Sequence, residues 1–82
     1  MNYRKEYKYQ VEQELKTIIR QAPDRETTQI RYEKSRTRYE TLVTRGDGSE
    51  AHGAIILSAV AHVNALAIYG RRYKLNLKGI KI

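Results

Sequence analysis

Between Ala51 and Tyr69 the chain has no polar side. Read as a helix, this segment puts Ile55, Ile56, Leu57, Val60, Val63, Leu66 and Ile68 on every face, and after the first turn only Ser58, His62 and Asn64 interrupt them. A surface helix needs one apolar stripe with polar residues opposite, so a helix of this composition has to be surrounded. An 82-residue chain has little to surround it with. At that length only about 60% of the surface exposed by the unfolded chain is buried.

Small domains usually need a staple. The chain has no Cys, which excludes disulfides and thiolate metal sites, and its two His are too few for a structural zinc site. Self-association remains. Each Leu- or Ile-sized group left wet costs roughly 1.5–3 kcal/mol, so the sequence predicts a homodimer through a helix face carrying Gly53, Ala54, Leu57, Ala61, Asn64, Ala65 and Ile68, with small residues allowing close approach.

A membrane span competes with this reading. Gly53 to Tyr69 is at the short limit for crossing a bilayer, and basic Arg71-Arg72-Tyr73-Lys74 follows it. Against a span, His62 and Asn64 sit within the segment and its flanks read as amphipathic strands. The N-terminal MNYRKEYKYQ is charged and lacks the apolar region of a signal peptide. Together with the absence of Cys, this leads to the expectation of one cytoplasmic domain over residues 1–82.

Periodicity supplies the other elements. Tyr7, Val11, Leu15, Ile18, Ile19 and Ala22 form a helical stripe that Pro23 ends, although Tyr7, Tyr9 and Val11 also alternate, so residues 3–10 read as helix or extended. Thr28, Ile30 and Tyr32, then Tyr39, Thr41 and Val43, alternate with polar residues and change parity across Lys34-Ser35-Arg36, which predicts a hairpin. Asp47 and Glu50, with Ser49 as the alternative, read as the cap of the apolar helix, and Gly70 as its left-handed closing residue. In the tail, Tyr73, Leu75 and Leu77 alternate against Lys74, Asn76 and Lys78, with a parity shift at Gly79, which predicts a bent strand. The order helix–strand–strand–helix–strand predicts an α+β fold, a small antiparallel sheet with two helices on one face.

No catalytic motif stands out. Ser58 and His62 are one helical turn apart, but no acid in the sequence is placed to orient the imidazole, and a structural histidine is the simpler reading. Glu50, His52 and His62 match no metal-ligand spacing. Gly46-Asp47-Gly48-Ser49 before a helix superficially resembles a phosphate cradle, but Asp47 and Glu50 would repel an anion. No enzyme, metal or cofactor is expected.

Charge gives the functional expectation. The net charge is +7, from 16 Lys+Arg against 9 Asp+Glu, and all seven aromatics are Tyr. Tyr3, Tyr7 and Tyr9 lie among Arg4, Lys5 and Lys8; Tyr32 follows Arg31, Tyr39 follows Arg38, and Tyr73 lies between Arg72 and Lys74. Cations suit a polyanion and flat rings suit bases or a protein partner. The sequence therefore predicts a nucleic-acid-binding protein, for DNA or RNA, with Arg31, Arg36, Arg38, Arg71, Arg72 and Lys74 on phosphates and Tyr3, Tyr7 and Tyr9 as stacking groups. The alternative is a compact inhibitor or adaptor, of the kind phages turn on host machinery, docking on an acidic protein surface. No RNP motif, GXXG loop, zinc finger or basic-zipper pattern is present.

Overall fold

The computed structural model of the chain describes residues 3–46 and 50–81. Helix α1 spans Tyr3–Gln21, α2 Arg25–Thr44 and α3 Glu50–Gly70; a 3-10 turn, Arg71–Tyr73, follows, and the rest of the tail has no regular structure. Among the described residues there is no strand. The expected α+β class and its antiparallel sheet are therefore corrected to an all-α fold of three helices.

Helix α3 is the middle of the molecule. Both α1 and α2 pack along it and scarcely touch each other. Its second half is enclosed: Ala61, Val63, Ala65 and Leu66 are fully buried, and Ile18, Tyr32, Ala67 and Tyr69 complete the core. Val11, Leu15, Tyr39, Tyr73, Leu77 and Ile80 pack against this cluster from α1, α2 and the tail. Two helices and a returning tail thus cover several sides of one apolar helix within a single chain. By length and composition Gly53–Tyr73 also passes for a membrane-crossing helix, but 56% of that window is buried inside the fold, as in a core helix.

Residues 25–44 form a helix because their inward face is small and hydroxylated rather than aliphatic. Thr28, Tyr32, Ser35 and Tyr39 recur at i, i+4, i+7 and i+11, and the first three are buried. Ile30 and Val43, which the hairpin reading turned inward, are 43% and 48% exposed. The threonines that suggested strands are accommodated by local bonds: the hydroxyls of Thr37, Thr41 and Thr44 donate to the carbonyls of Glu33, Thr37 and Glu40 at 3.0, 3.0 and 2.8 Å. Lys34-Ser35-Arg36, the expected turn, lies mid-helix.

The α1–α2 connection is short. Ala22 takes a left-handed conformation (φ 49°), and its N–H bonds the Ile18 carbonyl at 2.9 Å. Pro23 follows, ending α1 as its sequence predicts. Asp24 caps α2, its Oδ1 accepting from the Thr27 N–H at 2.7 Å. Those bonds hold the Asp24 carboxyl below its ordinary pKa.

The end of α3 departs from expectation. Gly70 has φ −62°, in the helical region, and the left-handed residue is Lys74 (φ 58°), whose N–H bonds the Arg71 carbonyl at 3.0 Å. What Gly70 provides is space: a Cβ there would lie 2.8 Å from Leu77 Cδ1 and 3.5 Å from Leu75 Cβ. The proposed cap at Asp47, Ser49 and Glu50 and the Gly46–Ser49 cradle fall largely outside the described residues.

Candidate anion-binding surface

The tail explains several residues that the sequence assigned to binding. Its in–out alternation is real: Tyr73, Leu75, Leu77 and Ile80 are half-buried while Lys74, Asn76, Lys78 and Gly79 are exposed. Among the described residues no strand pairs with it; side chains bond its backbone at Lys78 and Ile80 instead. Tyr32 Oη donates to the Lys78 carbonyl at 2.6 Å, and Arg36 Nη1 reaches Tyr32 Oη at 2.8 Å and the same carbonyl at 3.5 Å. Asn64 Oδ1 accepts from the Ile80 N–H, and Asn64 Nδ2 donates to the Ile80 carbonyl and to Tyr7 Oη.

The tyrosines are therefore mainly clamps. Tyr69 and Tyr73 both donate to the Pro23 carbonyl, at 3.0 and 2.7 Å, which fixes the end of α3 to the α1–α2 turn. Their rings meet edge to face with centroids 5.9 Å apart. The Tyr73 hydroxyl is pushed above its ordinary pKa, first by its bond to Tyr69, then by desolvation and by the Tyr69 charge, with Arg72 opposing. Of the three expected stacking groups, Tyr7 is held by Asn64, Tyr9 is 63% exposed, and the Tyr3 side chain lies outside the described residues.

The expected basic residues separate into three groups. Arg36 is engaged with Tyr32 and the tail and lies 3.6 Å from Glu40; its bond to Tyr32 and that hydroxyl's charge raise its pKa further. Arg72 stacks over the Tyr69 ring at 4.2 Å, while Arg71 and Lys74 are exposed beside it. The tyrosine bonds to Pro23 bring this trio to the end of the molecule where α1 hands over to α2. Arg31 and Arg38 belong to a third group that the hairpin reading obscured.

At 3.6 residues per turn, Arg31, Lys34, Arg38 and Arg45 fall within a stripe about 60° wide along α2. The acids of that helix, Glu26, Glu33 and Glu40, fall on a sector centred about 130° away, so they do not interleave. Among the described residues no carboxylate pairs with Lys34, Arg38 or Arg45. Arg31 Nη1 is steadied by Gln21 Oε1 of α1 at 2.6 Å. Over its upper part the stripe borders an open cleft of about 440 Å³ lined by Gln21, Arg31, Lys34, Ser35, Arg38 and His62. Lys34, Arg45, Ser35, Gln21 and His62 were not among the expected binding residues. For Lys34 and Arg45 the signal was heptad-like spacing of cations, legible only once α2 is a helix.

His62 has the acidic partner its sequence context did not reveal. Glu14, on α1, lies 2.8 Å from its Nδ1. Ser58 is exposed, and no hydrogen bond joins it to His62. Among the described residues no cluster suits a metal ion.

Of the expected self-association face, Ala61, Asn64 and Ala65 lie inside the chain's own fold, where α1, α2 and the tail pack around α3. Gly53, Ala54 and Ile68 are exposed and Leu57 is half-buried.

The fold and this surface define a small three-helix protein with a cationic second helix. No family model, curated protein or solved structure matches the chain.

Proposed function

We propose that the protein binds nucleic acid through the phosphate backbone, without enzymatic activity, using Arg31, Lys34 and Arg38 of α2 and Arg45 at its C-terminal end, with Arg71 and Lys74 as a second contact at the end of the molecule. The observation that carries this reading is the unbroken run of cations on one sector of α2, with that helix's acids on another. From Arg31 to Arg45 the stripe is about 21 Å long at 1.5 Å per residue. A strand of B-form DNA presents roughly six phosphates over such a length. Four cations on that line neutralise charge and release counterions, which favours DNA or RNA with little sequence preference.

The second reading, docking on an acidic protein surface, is favoured by Ile30 and Val43, which stand exposed on the same helix. Apolar side chains add to a protein contact and little to a phosphate contact. Fluorescence anisotropy with a generic oligonucleotide separates the two. Four phosphate contacts weaken binding about a hundredfold between 50 and 200 mM salt; affinity that does not change with salt, or an absence of binding at the lower salt, counts against the nucleic-acid reading. A homodimer would use Gly53, Ala54, Leu57 and Ile68, since Ala61, Asn64 and Ala65 of the expected face are inside the fold.

A further inference from the structure

Ser35 is the least expected residue of the cleft. It is 8% exposed, yet no group among the described residues bonds its hydroxyl. Since no sealed side-chain oxygen among the described residues lacks a partner, the Ser35 oxygen itself opens to solvent, although a partner is within easy reach in a helix. On the same helix Thr28, Thr37, Thr41 and Thr44 each turn the hydroxyl back onto the carbonyl four residues earlier. Ser35 does not, and it lines the cleft between Arg31, Lys34 and Arg38.

His62 completes the picture from the other side. Its Nδ1 is held by Glu14 at 2.8 Å, so its position is set from α1, and Nε2 is the ring nitrogen without a partner among the described residues. Gln21, the remaining polar neighbour, is already engaged, its Oε1 accepting from Arg31. The cleft therefore gathers three cations, an unpartnered hydroxyl and an oriented imidazole from two helices. No acid is part of the cleft lining, and Glu14 is engaged with His62.

The geometry points to a phosphate-binding subsite in this cleft: one phosphate group accepts hydrogen bonds from Ser35 Oγ, Arg31, Lys34 and Arg38, beside the His62 ring that lines the same cleft. Charge-assisted bonds of this kind are the strong ones. The subsite rests on the proposed nucleic-acid reading for its biological source, which is either a phosphodiester within a strand or a phosphate monoester at a strand end. Its chemistry stands without that reading.

The test is a titration of the 15N-labelled protein with inorganic phosphate, followed by NMR, for the wild type, Ser35→Ala and Lys16→Gln, the last an exposed cation of α1 outside the cleft lining. Alanine favours the helix more than serine, and the wild-type spectrum pattern checks that the variant is folded. The expected result is shift changes concentrated at Lys34, Ser35, Arg38 and His62. Loss of one hydrogen bond to a charged group makes Ser35→Ala bind phosphate about tenfold more weakly, while Lys16→Gln binds it as the wild type does. Shift changes spread evenly over the surface cations, or Ser35→Ala binding unchanged, overturn the subsite.

Oligonucleotides with and without a 5′-phosphate then distinguish the sources. A preference of several-fold for the 5′-phosphorylated strand that Ser35→Ala abolishes assigns a strand end; equal affinities, both lowered by Ser35→Ala, assign an internal phosphodiester. Phosphate binding in the cleft with no oligonucleotide binding leaves the subsite standing and removes the nucleic-acid reading. Oligonucleotide binding that is insensitive to Ser35→Ala does the reverse.

Discussion

Asn64 pairs with the backbone of Ile80 as a neighbouring strand would: its Oδ1 accepts from the Ile80 N–H at 2.6 Å and its Nδ2 donates to the Ile80 carbonyl at 2.8 Å. One buried side chain on the central helix therefore supplies what a sheet would otherwise have supplied to the tail. The same amide nitrogen also donates to Tyr7 of α1 at 2.6 Å, so helix, helix and tail meet at one residue. Gly79 permits the approach, because a Cβ there would lie 3.1 Å from Asn64 Oδ1.

Asn64→Ala removes these bonds at a site only 8% exposed. It leaves the Ile80 groups to find water, and costs about 2–3 kcal/mol in urea unfolding. Deleting residues 79–82 costs a similar amount, and the double change costs clearly less than the sum, because both remove the same interaction. Additive losses would separate Asn64 from the tail.

The α2 helix can be tested at the positions where helix and hairpin disagree. Ile30→Gln and Val43→Gln alter exposed side chains and stay within about 0.5 kcal/mol of the wild type. Tyr32→Ala opens the core and costs about 3–5 kcal/mol. In a hairpin Ile30 and Val43 would be the costly positions, so thermal unfolding of the three variants decides between the two.

Alkaline stability depends on Tyr73. Its pKa is raised in the folded protein by its bond to Tyr69, then by burial and the Tyr69 charge. The native state therefore holds this proton more tightly than the unfolded chain does. The stability it contributes is intact below the ordinary value of 10.0 and is lost as pH rises above it. Tyr73→Phe flattens the fall in unfolding midpoint above pH 10 relative to wild type.

Acid stability has the opposite sign at Asp24. The Thr27 N–H depresses its pKa, so the contribution is present above the ordinary value of 3.8 and is lost as pH falls below it. Asparagine is an equally good cap. Asp24→Asn keeps the helix content of α2 at neutral pH and reduces the dependence of stability on pH between about 5 and 2.

Much of the helical framework was legible, because the stripe of Val11, Leu15 and Ile18 and the stop at Pro23 follow local rules, as does the apolar run ending near Gly70. Helix α2 was not. Its buried face is Thr28, Tyr32, Ser35 and Tyr39, residues that carry hydroxyls and register weakly as apolar, while Ile30 and Val43 on the exposed faces register strongly. β-Branched and aromatic residues at alternate positions then imitate a strand. The tail shows a second limit: Leu75 and Leu77 alternate correctly, but alternation marks an extended chain against a surface, whether that surface is a sheet or a pair of helices. The tyrosine–arginine proximity that suggested a stacking surface in fact reflects hydroxyl clamps at Pro23, Asn64 and Lys78, which depend on contacts of 46 residues or more in separation. The cation stripe was hidden for the same reason as α2.

The most direct test of the account is the salt dependence of oligonucleotide binding, compared between the wild type, the Arg31→Gln/Lys34→Gln/Arg38→Gln variant and Arg36→Gln. With four phosphate contacts, the logarithm of affinity falls against the logarithm of salt with a slope of about −3 to −4; three fewer cations reduce it to about −1. Arg36→Gln, which loses a tail contact but no stripe charge, keeps the wild-type slope. A triple variant whose slope equals that of the wild type would contradict the claim that α2 is the surface that meets the phosphates.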